Sequence, residues 1–156
     1  MPRLILFVAC ERVLIDQNQL PSAIGIFQAM KFQLQDAPLP ENAISPVRWA
    51  IFALWKHTGE ERGVQFTQHI EILKPSGEVF GVPTRAVFTL QGEVEQSQSK
   101  VFVDVFGLPV GQPGTVKIRT WLENVPNSAG EYEFLVMHLP KEKNGDTTAT
   151  PPTKVN

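Results

Sequence analysis

Nucleophilic catalysis would need Cys10 beside a histidine, or a serine on a tight glycine-flanked turn, and the chain holds both residue types in settings that argue against the chemistry. Cys10 falls inside an apolar run over residues 4–10, where a buried thiol behaves as a small hydrophobe. Ser76 sits in Lys74-Pro75-Ser76-Gly77, whose proline presets φ and whose glycine accepts positive φ, which is the signature of a hairpin turn. A zinc site is not spelled out either. His57, His69 and His138 are far apart, with no His-x-x-x-His pair, and a lone cysteine cannot build a thiolate cage, so no metal ligand and no cofactor is expected. Calcium gathered at sandwich loops needs clustered aspartates, whereas Asp16, Asp36, Asp104 and Asp146 are isolated. The carboxylate pairs Glu60/Glu61, Glu93/Glu95 and Glu131/Glu133 read as solvated faces.

Binding chemistry is better represented. Lys117 and Arg119 lie beside Trp121 at a two-residue spacing, a pattern able to stack and neutralise a single nucleic-acid strand. Fourteen basic against 16 acidic residues give a net charge of -2, and with Glu123 on the flank no nucleic-acid partner is expected. The three tryptophans, Trp49, Trp55 and Trp121, are the candidates for stacking on a sugar or another flat ligand, with Arg119 as a polar neighbour. A pocket assembled from His69, Arg85 and Glu71 is the alternative site for a small ligand or a reaction.

The elements that must position these residues are strands. Thirteen prolines and 11 glycines cut the 156-residue chain into apolar runs of strand length, and 42% hydrophobic residues suffice for a core. Residues 4–15 and 23–30 read as an opening hairpin about the polar turn Asp16-Gln17-Asn18-Gln19. Residues 35–45, with Pro38 and Pro40, read as a loop. Residues 46–56 are apolar on both faces, which suits a central strand, with a helix as the competing reading. Further strands follow over residues 64–72, 85–90, 101–106, 116–122 and 131–136, with a short continuation at 78–80. Residues 93–100 read as an exposed connection or a frayed edge.

The expected fold is therefore all-β, an antiparallel two-sheet sandwich of about eight strands over residues 1–139, with a closed barrel as the alternative. The tail 140–156 has no large apolar residue before Val155 and is expected to be disordered. The N-terminal apolar run is short and is followed by Glu11-Arg12 rather than a cleavage site, so it reads as a strand and not a signal. No stretch reaches the ~18 apolar residues of a membrane span, and the single cysteine suits a reducing, cytoplasmic setting.

Cys10-Glu11-Arg12-Val13-Leu14-Ile15-Asp16, then Leu20-Pro21-Ser22-Ala23-Ile24-Gly25-Ile26-Phe27, and the late Gly130-Glu131-Tyr132-Glu133-Phe134-Leu135-Val136 resemble a family of small uncharacterised bacterial proteins. The resemblance spans residues 3–139. It implies a β-sandwich and a bacterial cytosolic setting, and it carries over no active-site residue.

One surplus remains. Trp49, Ile51, Ala53 and Trp55 occupy one face of the central strand while Ala50, Phe52 and Leu54 occupy the other, and a two-layer sandwich covers only one of them. The second face needs the 35–45 loop, a partner chain or second copy, or a ligand. A non-catalytic protein-binding or assembly module is the expectation that follows, with a carbohydrate or small-ligand domain, or an enzyme, as the alternative.

Overall fold

In the computed structural model, residues 1–34, 37–90 and 98–141 are described. Among them are nine strands: β1 (Arg3–Ile15), β2 (Pro21–Ile26), β3 (Ala29–Gln33), β4 (Ile44–Lys56), β5 (Gln65–Leu73), β6 (Thr84–Thr89), β7 (Gln98–Pro109), β8 (Gly114–Leu122) and β9 (Gly130–Leu139). They form a four-stranded sheet, β2-β1-β4-β7, packed on a five-stranded sheet, β3-β9-β8-β5-β6. The sandwich is thus present. The central segment is a strand, since its two apolar rows suit a pleated ribbon set between β1 and β7. No described helix is long and apolar enough to cross a membrane.

Two details depart from the sequence reading. The returning strand of the opening hairpin is not continuous over residues 23–30. It breaks at Phe27-Gln28, where the Phe27 amide donates to Ala9 O at 2.9 Å and Gln28 O accepts from Leu135 N at 3.0 Å. The chain thereby passes from one sheet to the other, and β3 runs parallel to β9, the one parallel pair among otherwise antiparallel neighbours. The second departure is at the start of β7, where Gln98, Ser99 and Lys100 pair with β4 rather than forming a connection. Residues 91–97 and the tail from residue 142 lie outside the described residues.

The core lies between the sheets. Trp49, Ile51, Ala53 and Trp55 of β4 meet Ile70 and Ile72 of β5, Val116 and Ile118 of β8, and Phe134 and Val136 of β9. Alternation accounts for this, because the inward rows of both sheets are apolar at nearly every second residue, Gln68 and Thr120 being the exceptions. Phe27, at the sheet switch, wedges between Trp49 and Phe134, with ring centroids 5.8 and 5.5 Å away. The Tyr132 hydroxyl donates to Phe27 O and holds the wedge in place. One buried polar chain crosses the sheets: Trp55 Nε1 donates to Gln68 Oε1 at 3.0 Å, Gln68 Nε2 donates to Thr120 Oγ1 at 2.8 Å, and Thr120 Oγ1 donates to His69 O at 2.9 Å.

Candidate functional site

The two expected stacking platforms on β4 are not at a surface. Trp49 is 1% exposed with its Nε1 donating to Gly107 O at 2.9 Å, and Trp55 is fully buried on Gln68, so neither ring offers a face to a ligand. Both belong to the inward row, whose burial is supplied by the chain's own second sheet.

Trp121 and Arg119 do reach the outer face of the five-stranded sheet. Trp121 is half-buried and lies parallel to the His69 ring, with centroids 5.1 Å apart and planes 5° apart, because the two residues are register partners on β8 and β5. His69 Nε2 is also 3.6 Å from Glu123 Oε2. The basic row beside them is matched by carboxylates on β9. Arg119 Nε donates to Glu131 Oε1 at 2.9 Å, while Lys117 Nζ lies 3.2 Å from Glu131 Oε2 and 2.9 Å from Glu133 Oε1. The hydrogen bonds that Lys117 donates to Glu133 and Glu131 hold its ammonium above its ordinary pKa, and the same bond from Lys117 holds Glu131 below the usual carboxylate range. This face is an ion-paired lattice, which solvates the sheet. His69 and Arg85 are register partners, with Glu71 two residues along the same strand, but no ion pair joins them.

The remaining reactive side chains are dispersed. Cys10 is fully buried, and burial pushes its thiol up from its ordinary pKa, the opposite of what a nucleophile needs. His57 is buried after β4 with Nδ1 3.1 Å from Thr58 O, and His138 Nε2 contacts Val110 O at 2.6 Å. Among the described residues no three His, Cys, Asp or Glu side chains come together as a metal site.

The outer face of the four-stranded sheet is different in kind. Its floor is Val8 and Cys10 of β1 with Ala50 and Phe52 of β4, each under 9% exposed. They are register partners in pairs, Val8 with Phe52 and Cys10 with Ala50, on the side away from the core. Around this floor the apolar side chains are open to solvent: Leu6 is 39% exposed, Ile26 49%, Phe102 52% and Phe106 69%. Such a run of exposed large hydrophobics around an apolar floor is the usual mark of an interaction surface. The described part of the loop, residues 37–43, does not cover it. Leu39 and Ala43 pack against the core instead, and Ala43 O accepts the amides of Val110 and Gly111 at 3.0 and 3.1 Å, which ties the loop to the end of the sandwich.

That tie frames a cleft of about 310 Å³ between the sheets' ends, walled by Ile44, Pro75, Val79, Phe80 and Pro109, with Glu41, Lys74 and Gln112 at its rim. Gly111 is there because nothing larger fits: a Cβ would stand 2.2 Å from Glu41 O and 2.3 Å from Pro40 O, both backbone atoms. Gly111→Ala is therefore expected to lower stability by about 1–3 kcal/mol through overpacking. Urea midpoints read by circular dichroism check it, and an unchanged midpoint would mean that the loop does not press on this glycine.

The two apolar rows of β4 stand out in the sequence, whereas Phe102 and Phe106 do not read there as surface residues. The available signal was that both rows of β7 are apolar, Val101, Val103 and Val105 inward and the two phenylalanines outward, with Asp104 between them. No protein-family model matches the chain, and no curated protein is significantly similar to it.

Proposed function

We propose that the protein is a non-catalytic binding or assembly module that engages another polypeptide through the outer face of the β2-β1-β4-β7 sheet. The observation that carries this reading is the apolar floor of Val8, Cys10, Ala50 and Phe52, rimmed by exposed Leu6, Ile26, Phe102 and Phe106, with no described strand laid over it. Burying such a rim gains roughly 25 cal/mol per Å² of apolar surface, whereas leaving it in water invites nonspecific association. The dispersal of His, Cys and carboxylate side chains favours binding over catalysis, and the single buried thiol suits a reducing bacterial cytoplasm.

The test is photo-cross-linking in cells that express the protein, with p-benzoylphenylalanine placed at Phe102 or Phe106 and, as a control, at Val87 on β6 of the other sheet. Defined adducts from positions 102 and 106 that are absent from position 87 are expected. Failure to form any adduct from the first pair, or the same adducts from all three, would remove the reading.

The 310 Å³ cleft favours a second reading, a site for a small, largely apolar ligand, since its size lies at the lower end for ligand pockets. A ligand there would perturb amide resonances of Ile44, Val79 and Phe80 and leave those of Phe102 unmoved.

A further inference from the structure

We propose that the open edge of β7 pairs antiparallel with β7 of a second copy of the chain, about a two-fold axis that passes through Phe102 perpendicular to the sheet. This pairing does not rest on the binding reading above, because it uses the edge of the four-stranded sheet and leaves the outer face to other partners.

The first observation is what β7 presents. It is the last strand of its sheet and forms a ladder with β4 alone. An open row of amides and carbonyls is a template for another chain, so soluble proteins keep edge strands short or interrupt them with proline, bulges or inward charge. The other edges conform. β2 bends at Gly25, where φ is +66°, and β3 and β6 have five and six residues. β7 has 12 residues. From Gln98 to Phe106 it contains no proline and its ladder to β4 is unbroken, the first bend being Gly107 with φ +91°. β6 lies against β7 from the other sheet but makes no ladder with it.

Register follows from two independent features of that run. Its midpoint is Phe102, so an antiparallel pairing that uses all of residues 98–106 sets Phe102 opposite its own image. It also carries two charges, Lys100 and Asp104, placed two residues to either side of the same midpoint. The register that uses the whole run therefore sets Lys100 of each copy opposite Asp104 of the other, giving two opposite-charge pairs per dimer. Moving the axis by one residue sets both charges opposite phenylalanine or glutamine, and moving it by two sets lysine against lysine or aspartate against aspartate. Neither charge has an ion pair among the described residues. The Lys100 ammonium donates to Gln19 O and has two further protons to give.

Opposed residues of a ladder share a face, so the match extends to both sides of the sheet. On the outer side the two Phe102 rings meet at the axis, and at 52% exposure each has surface to bury. On the inner side Val101 meets the second copy's Val103, which is half-buried in the single chain. The amides and carbonyls on the open side of β7 find partners over about 27 Å. Two four-stranded sheets become one continuous sheet joined at β7.

The experiment is sedimentation velocity on the full chain, combined with disulfide trapping. An interface one strand wide lies at the low end of specific contact areas, so the wild type is expected to pass from monomer to dimer between about 5 and 200 μM. Lys100→Asp and Asp104→Lys each set like charges opposite each other twice per dimer and should weaken association about tenfold. An equimolar mixture of the two variants restores both pairs, as does the double variant K100D/D104K, and each should recover the wild-type affinity. Neither side chain is buried, and thermal melts by circular dichroism establish that the variants are folded.

Phe102→Cys reads the register directly. Opposed residues have Cα atoms about 4.5–5.5 Å apart, within reach of a disulfide, so mild oxidation should link this variant to itself. Phe106→Cys is at least as open but stands about 27 Å from its own image and should not link. The native Cys10 is fully buried and does not compete. A wild type that stays monomeric throughout, a dimer indifferent to both charge reversals, a mixture that does not recover, or a cysteine at 106 that links as readily as one at 102 would each overturn the proposal.

Discussion

Replacing Trp49 by alanine is expected to lower the free energy of unfolding by about 3–5 kcal/mol, a large share of the roughly 5–15 kcal/mol that holds an average domain together. The indole is 1% exposed and sits where three elements meet. Phe27 from the sheet switch and Phe134 from β9 approach it at 5.8 and 6.1 Å, the latter edge-on with planes 75° apart. Truncation removes the transfer free energy of the ring and leaves a cavity that a rigid two-sheet frame closes only in part. It also strands the Gly107 carbonyl, which is buried at a bend where φ is +91° and which the indole N–H satisfies at 2.9 Å. Trp49→Phe separates the two contributions. It keeps most of the volume and loses the donor, so a smaller loss of about 1–3 kcal/mol is expected. Urea unfolding followed by far-ultraviolet circular dichroism measures both without relying on the fluorophore that is being changed. A loss below about 1 kcal/mol for the alanine variant would place Trp49 outside the cooperative core.

What the sequence made legible was local. The alternation over residues 65–73 places Gln68, Ile70 and Ile72 inward and His69 and Glu71 outward, as the burial confirms. The polar turn after β1 reads correctly because Asp16 Oδ1 accepts the amides of Asn18 and Leu20 at 2.8 and 2.7 Å, chemistry carried within five residues. The sheet switch at Phe27 was not legible, because Ala23 to Met30 is apolar apart from Gln28 and a handover between sheets is decided by distant partners, Ala9 on one side and Leu135 on the other. The pairing of β3 with β9 spans about a hundred residues for the same reason.

The candidate site failed to read out for a related cause. Both rows of β4 are apolar, so its sequence does not say which row meets the second sheet, and the tryptophans drew the functional expectation toward what became the core. Arg48 and Asp104 share the outer face because the ladder from Arg48–Phe106 to Lys56–Gln98 is unbroken, so alternation carries Arg48 and Ala50 to the same side; the register shift at Pro46, which cannot donate to a ladder, lies before it. Alternation along β4 is legible in the sequence, whereas the strand that lies opposite it, and so the charge that stands beside Arg48, is decided by distant pairing.

Gln68→Leu is expected to cost about 2–3 kcal/mol, although leucine fills nearly the same space, because the glutamine is the polar link between sheets. Its carboxamide is fully buried, accepting from Trp55 on β4 and donating to Thr120 on β8. Leucine leaves the Trp55 N–H buried without a partner, and the penalty is the desolvation of that orphaned donor rather than the modest net worth of a hydrogen bond. If that account is right, removing the donor as well should recover part of the loss. Trp55→Phe in the Gln68→Leu background is therefore expected to cost less than the sum of the two single changes, with a coupling of about 0.5–3 kcal/mol. Strict additivity would show that the bridge contributes nothing as a unit. Gln68→Glu gives the same test a pH axis. A protonated carboxyl can accept from Trp55 and donate to Thr120 as the amide does, whereas a carboxylate is buried against the Thr120 oxygen and cannot donate. Burial raises the folded-state pKa of that carboxyl above the roughly 4.3 of an unfolded glutamate, so the variant approaches wild-type stability below about pH 4 and loses it as the pH rises through neutrality. Thermal melts between about pH 4 and 8, compared with the wild type at each pH, should diverge steadily with increasing pH. Parallel curves would mean that water reaches position 68 and that the two sheets are not joined through a dry polar bridge.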